Sequence, residues 1–132
     1  MRDYQRKRNN VYILPSELWH RTLYMIRGYY RMKEEYDDRI DEGMTVATDS
    51  PSGGKTFRTG DPTGMKAVKL SVLAEQIRSI EKAMMVVPEE YMDGIWNNII
   101  DHVPYPEDAH YKTYGAWKGR FVYEVAKNMN WI

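Results

Sequence analysis

The chain has 132 residues, enough for one domain with a single modest core. A hydrophobic fraction of 42% and a charged fraction of 29% are typical of globular proteins, and no apolar run is long enough for a membrane-spanning helix or a signal peptide. The lack of cysteine excludes disulfides, thiol catalysis and cysteine-ligated zinc and fits a reducing cytoplasm, while a formal charge of zero argues against indiscriminate binding to nucleic acids.

The charges are distributed unevenly along the chain. Residues 1–10 carry four cations and one anion, for a net charge of +3, and residues 110–132 carry the same numbers. Residues 88–109 contain six acids and neither Lys nor Arg, for a net charge of −6. We therefore expect an anionic partner to contact the two ends of the chain and to avoid the segment between 88 and 109.

Residues 1–14 are predicted to form a basic arm and an apolar lead-in, with the first ten residues mobile because they show no hydrophobic period. The first predicted helix covers residues 15–42. Pro15 and Glu17 suit its start, and Gly43 suits its end. Its apolar stripe advances in alternating steps of four and three residues, through Leu18, Thr22, Met25, Tyr29, Met32 and Tyr36. Its opposite side mixes acids with Arg31, Lys33 and Arg39, a pattern that predicts a solvated charged face with ion pairs three or four residues apart.

Residues 43–63 are rich in Gly and Pro and are predicted to form a flexible connection. Gly54-Lys55-Thr56 matches the end of a phosphate-binding loop, but the motif needs a glycine where Asp49 stands. The second predicted helix covers residues 62–87 and has a heptad stripe. Two arrangements are compatible with this stripe: a long antiparallel hairpin against the first helix, or a homodimeric coiled coil.

Two shorter helices are predicted to follow, over residues 88–103 and from about His110 onward. Together they give an all-α, single-domain protein (1–132) in which residues 88–129 form a helix-turn-helix-like unit. The last helix is expected to bury Tyr114, Trp117, Phe121, Val125 and Met129.

The opposite side of this last helix has the composition of a DNA-reading surface, because it combines cations, a hydroxyl group and small residues. The predicted DNA contacts are Lys112, Thr113, Lys118 and Arg120, with Lys118 near the edge of the buried face and reaching out on its long stem. Gly115, Ala116 and Gly119 would allow close approach to DNA. Arg2, Arg6, Lys7 and Arg8 of the basic arm would add phosphate contacts.

The run from Thr113 to Ala126, TYGAWKGRFVYEVA, resembles the recognition helix of small phage and prophage regulators of Gram-positive bacteria. These are activators of late genes, of the RinA and ArpU type, whose ends resemble the DNA-binding region 4 of sigma factors. The run from Val87 to Tyr91, VPEEY, leading into Ile95-Trp96, is also similar to that family. The resemblance covers roughly residues 62–129 and implies a phage-encoded DNA-binding regulator of transcription. The acidic connection 104–109 has room for barely one turn, so either the motif is abbreviated or the helix over 88–103 serves as the support.

The sequence therefore predicts a regulator that binds promoter DNA in the cytoplasm of a bacterial host. The alternative is a helical interaction module that binds a host or phage protein, with RNA polymerase among the candidates, through the acidic segment and the heptad stripe. We expect neither enzymatic activity nor a cofactor, since no catalytic signature is present. The three histidines are scattered, so no metal site is predicted either.

Overall fold

The computed structural model describes residues 5, 6, 10–48 and 62–132, and only the backbone of residues 42–48 and 62–66. The described residues form α-helices and no strand, which confirms the predicted all-α class. The helices are α1 (Ser16–Arg27), α2 (Tyr29–Thr48), α3 (Pro62–Met84), α4 (Glu89–Asp101) and α5 (Tyr111–Asn128). In the part of the chain that the structure describes, no helix is long and apolar enough to cross a membrane.

The first predicted helix is in fact two helices that meet at Gly28, so the prediction of one continuous helix is wrong. The Gly28 N–H donates to the Met25 carbonyl, three residues back, at 3.0 Å, and this tight turn ends α1. Glycine favours such an interruption because it stabilises a helix interior less than other residues do. The predicted end near Gly43 is also wrong, because α2 continues to Thr48. Of the predicted flexible connection, residues 49–61 lie outside the described part of the chain.

The break at Gly28 divides the packing of the two helices. α2 packs on α3, where Tyr29 and Lys33 at the start of α2 reach Glu81 near the end of α3. α1 packs instead on α5 and α4. Its buried side chains are Trp19, Thr22, Leu23 and Ile26, of which only Thr22 belongs to the predicted stripe. These contacts therefore do not form a hairpin that pairs the whole of residues 15–42 with residues 62–87.

α5 is the central helix of the core, since it packs on α3, α1 and α4. Of its predicted core residues, Tyr114, Phe121 and Val125 are fully buried, while Trp117 and Met129 are half-buried. Val122 and Ala126 are buried as well, so a second side of the helix is covered. Such wide coverage leaves α5 only a narrow exposed stripe.

The connection between α4 and α5 is packed against both helices. Tyr105 stacks on Tyr114 with ring centroids 5.1 Å apart. Pro106 lies against Gly94 of α4, where an added Cβ would stand 2.7 Å from the Pro106 ring and 2.8 Å from the Tyr114 ring. Only glycine allows this close approach, so Gly94 fixes how the connection lies on α4.

The N-terminal lead-in lies along the protein and does not extend into solvent. The Gln5 side-chain amide donates to the Leu14 carbonyl at 2.8 Å and accepts from the Leu14 N–H at 2.7 Å. Tyr12 packs edge-on against Tyr123 of α5 with centroids 5.2 Å apart. The prediction of a mobile arm is thus wrong for Gln5, Arg6 and Asn10, which the structure ties to the chain by hydrogen bonds.

Candidate nucleic-acid interface

The N-terminal end of α5 and the lead-in create one cationic site from opposite ends of the sequence. Arg6 donates from Nη1 to the Lys112 carbonyl oxygen at 2.9 Å, across 106 positions of sequence. The two hydrogen bonds between Gln5 and Leu14 fix the backbone next to Arg6. Lys112 itself is exposed in the first turn of α5. Two of the predicted DNA contacts are therefore neighbours in the fold.

A pocket of about 40 Å³ opens between these elements. Its lining contains three cations, which are Arg6, Lys112 and Lys118. The other lining residues are Trp19, Tyr105, Tyr111 and Gly115. Among the lining residues that the structure describes, no carboxylate is present.

The first turn of α5 is capped by the protein itself. The His110 ring nitrogen Nδ1 accepts from the Lys112 N–H at 3.1 Å, and the His110 carbonyl accepts from the Thr113 N–H at 2.9 Å. The His110 ring also stacks on Tyr111, with centroids 4.6 Å apart. These backbone donors are satisfied internally, so the positive character of the site comes from its side chains. Thr113 is half-buried at its edge.

Lys118 is placed differently from the prediction, which had its side chain at the edge of the buried face. The residue is only 2% exposed, and its ammonium donates to Asn98 Oδ1 of α4 at 2.8 Å. The Asn98 amide in turn donates to the Val103 carbonyl at 3.0 Å. Lys118 therefore lies at the floor of the pocket, inside the protein, and an outward reach to a DNA surface is wrong for this conformation.

Arg120 is half-buried and already paired. Its guanidinium donates to Glu124 Oε2 at 2.9 Å, one helical turn further on, and lies 4.4 Å from the centre of the Tyr12 ring. An arginine that is neutralised by a carboxylate and covered by an aromatic ring contributes little attraction for phosphate. It thus differs from the exposed Lys112 on the same helix.

The small residues of α5 differ in how much space surrounds them, because the lead-in packs against Gly119. Gly119 is buried, and Asn10 Nδ2 would lie 3.6 Å from a Cβ added there. Gly115 has nothing within 4 Å of such a Cβ, and Ala116 is exposed. Of these small residues, the two in the first two turns of α5 leave room for close approach by a partner, and Gly119 does not. The other predicted cations of the arm, Arg2, Lys7 and Arg8, lie outside the described residues.

Acidic groups flank the site on the side of the connection. Glu107 and Asp108 are both exposed. Asp108 accepts a hydrogen bond of 2.6 Å from the Tyr114 hydroxyl. That bond, together with burial of the ring, raises the pKa of Tyr114 to about 12. A polyanion at this site must therefore approach from the side of Arg6 and Lys112.

The other candidate sites of the described residues are less specific. Arg31 and Arg39 both pair with Glu35, at 3.2 and 3.0 Å, which confirms the predicted solvated charged face of this helix. Among the described residues no group of three or more His, Asp or Glu side chains is placed to hold a metal ion. A wider cleft of about 430 Å³ lies at the other end of α5, where its cations Arg78, Lys82 and Lys127 face Glu75.

Comparison with known proteins finds no family model that matches the chain, no similar curated protein and no similar solved structure.

Proposed function

We propose that this protein is a phage-encoded DNA-binding regulator of transcription, and that it contacts duplex DNA with the first two turns of α5. The observation that carries the proposal is the meeting of Arg6 and Lys112, which places two cations beside the half-buried Gly115 and the exposed Ala116. Recognition helices contact base edges mainly through their N-terminal residues. A helix that is buried in its middle and uncovered at its start is suited to this use.

In this proposal α4 is the supporting helix and the packed connection replaces the missing turn of a complete helix-turn-helix. Arg6 and Lys112 bind phosphates, and the hydroxyl of Thr113 donates to a base or a phosphate. Lys7 and Arg8 extend the phosphate contacts of Arg6. Lys118 and Arg120 support the surface from within and have no direct contact with DNA. The protein acts in the bacterial cytoplasm, where RNA polymerase is a further expected partner.

The test is binding to labelled phage promoter DNA across a salt series, followed by fluorescence anisotropy. Each phosphate contact that is removed should lower the slope of log K against log salt by about one. Arg6→Gln and Lys112→Gln should each have this effect. Lys127→Gln, which makes the same charge change at the other end of α5, should leave the slope unchanged. No measurable binding at low salt would refute the proposal, and a slope that falls only for Lys127→Gln would move the interface to the wider cleft.

A second candidate is a helical interaction module that binds another protein through α4. Glu89, Glu90 and Asp93 are exposed on this helix, and within the described part of the chain no ion pair engages them. Met85 lies just before them and is 86% exposed, so an acidic surface borders an apolar side chain. Such a surface suits a basic protein partner.

This candidate predicts that Glu89→Lys together with Glu90→Lys abolishes capture of purified host RNA polymerase. Lys112→Gln serves as the matched control and should leave the capture unchanged. The reverse pattern, with capture lost only in Lys112→Gln, would eliminate the acidic surface as the binding face.

A further inference from the structure

Two neighbouring aromatic rings are exposed at the start of α5 and are already stacked on each other. The ring centroids of His110 and Tyr111 lie 4.6 Å apart, with an angle of 27° between the ring planes. Both residues are exposed, and Tyr111 is 59% exposed. Because His110 covers one face of the Tyr111 ring, the exposed area lies mainly on the other face and along the ring edge. Such a flat, largely apolar surface gains free energy when another ring covers it.

The orientation of the two rings is fixed by the helix itself. His110 is the N-cap residue of α5, and its Nδ1 accepts from the Lys112 N–H at 3.1 Å. This hydrogen bond restrains the imidazole, and the imidazole restrains the tyrosine ring that stacks on it. Tyr111 is the first residue of the helix, which is anchored in the core by Tyr114 and Phe121. A ring that is held in this way loses less conformational entropy on binding than a freely rotating side chain does.

The space beside the Tyr111 ring is kept open by a glycine. Gly115 follows Tyr111 by four positions, so it lies one turn further along the same face of α5. A side chain at position 115 would lean back over the turn that contains Tyr111, because helical Cα–Cβ bonds point toward the N-terminus. Among the described residues, nothing lies within 4 Å of a Cβ added to Gly115. A flat ligand can therefore approach Tyr111 from this side.

Cations lie next to the stacked rings. Lys112 is exposed and follows Tyr111 in the chain, and Arg6 donates to the Lys112 carbonyl at 2.9 Å. Within the described part of the chain, neither cation forms an ion pair. The exposed acids Glu107 and Asp108 lie in the connection on the other side of His110. Aromatic rings beside cations suit a nucleotide, because the rings stack on the base and the cations bind its phosphates.

The ring faces select an unpaired base. In a duplex both faces of each base are covered by the neighbouring base pairs, whereas an unpaired base leaves a whole face free to stack. We propose that His110 and Tyr111 form a stacking site for one unpaired nucleobase, with Lys112 and Arg6 binding the phosphates beside it. This inference rests on the proposed function and deepens it, since it names the form of DNA that this end of α5 prefers. Stacking needs no hydrogen bond to the base edge, so the site accepts all four bases.

Three labelled DNAs of one sequence test the stacking site by fluorescence anisotropy at low salt. They are a fully paired phage promoter duplex, the same duplex with one bulged adenine, and the same duplex with one bulged abasic nucleotide. The two bulged DNAs have the same phosphates and differ only in the base. The wild type should bind the bulged adenine at least about fivefold more tightly than the bulged abasic nucleotide, the low end of what one stacked base contributes.

Variants of Tyr111 assign this preference to its ring. Tyr111→Ala should remove the preference for the bulged adenine, and Tyr111→Phe should retain it because the ring is kept. Tyr24→Ala is the matched control, since it removes a tyrosine of α1 that is 67% exposed, and the preference should persist in it. All three substitutions change exposed side chains, so the variants should fold like the wild type, which circular dichroism checks.

The neighbours of Tyr111 provide a second set of variants. Gly115→Leu fills the space beside the ring and removes neither a charge nor an aromatic group, so it should lower the preference. Gly115→Ala adds only a Cβ that meets nothing in the described residues and should keep the preference. His110→Asn retains a side-chain acceptor at the N-cap and removes one ring, so it should also lower the preference.

The outcomes separate the stacking site from the proposed function. Equal affinities of the wild type for the two bulged DNAs, with the paired duplex bound, would overturn the site and leave the proposed function intact. A preference that persists in Tyr111→Ala would overturn the site as well, because another group would then hold the base. If the paired duplex is not bound and a Tyr111-dependent preference for the bulged adenine is present, the site stands and the proposed function fails. No binding of any of the three DNAs would refute both.

Discussion

The first two turns of α5 and the middle of the same helix contain similar residues but have opposite surroundings. At the start, Lys112 and Ala116 are exposed, and the half-buried Gly115 has nothing within 4 Å of an added Cβ. In the middle, Lys118 and Gly119 are buried under α4 and the lead-in. The difference arises from what packs on each part and not from the composition of the helix. Two lysines six positions apart on one helix can therefore differ, one exposed at the surface and the other part of the core.

The packing of the middle of α5 fixes the position of the exposed groups at its start. Tyr114, Phe121 and Val125 anchor α5 on one side, and Tyr12 covers Tyr123 and Arg120 on another. Because this packing fixes the helix, the groups at its start are held in place at little further entropic cost on binding.

The largest expected effect is a difference in the free energy of unfolding between a variant of Lys118 and the same variant of Lys112. Lys118→Met leaves Asn98 Oδ1 buried without its ammonium donor, which should cost about 1–3 kcal/mol. Lys112→Met changes an exposed side chain and should stay within about 0.5 kcal/mol of the wild type. Urea unfolding followed by circular dichroism measures both values.

The double variant Lys118→Met with Asn98→Leu is the control for this pair. It replaces both partners by apolar side chains and should recover part of the loss, since a buried charge is often replaced by apolar groups without cost. The recovery is incomplete because the Val103 carbonyl loses the Asn98 amide as its donor. Equal stabilities of Lys118→Met and Lys112→Met would contradict the difference in burial between the two lysines.

Much of the fold could be predicted from the sequence because apolar periodicity specifies which segments are helical. α3, α4 and α5 begin within one residue of their predicted starts, at Pro62, Glu89 and Tyr111. The break at Gly28 could not be predicted in this way, because helices tolerate single glycines and the apolar stripe continues through this one. The change of partner, from α4 and α5 to α3, is what makes the break favourable, and partners are a tertiary property.

The burial of Lys118 could have been predicted from its position on the apolar stripe, although its charge favoured a surface contact. Residue 118 lies four positions after Tyr114 and three before Phe121, which places it on the buried stripe. Asn98 occupies the same kind of position on α4, between Ile95 and Ile99. Two polar residues on facing apolar stripes predict a buried pair, because neither would be buried alone. The meeting of Arg6 with Lys112, in contrast, has no local signal, since 106 positions separate the two residues.

The smallest expected effect is the pH dependence of stability that comes from the hydrogen bond between Tyr114 and Asp108. This dependence appears only in alkaline solution. Tyr114 donates to Asp108, and this bond together with burial raises the pKa of Tyr114 from 10.0 to about 12. A folded-state pKa above the unfolded value gives stability that is fully present below pH 10 and is lost as the pH rises toward about 12. The stability difference between the wild type and Tyr114→Phe, measured by urea unfolding, should therefore be constant below pH 10 and shrink above it.

Asp108→Asn removes the charge that holds the proton, so its tyrosine absorbance should show Tyr114 ionising at a lower pH than in the wild type. Ionisation of Tyr114 at the same pH in both proteins would show that Asp108 does not hold the connection to α5 through this hydroxyl.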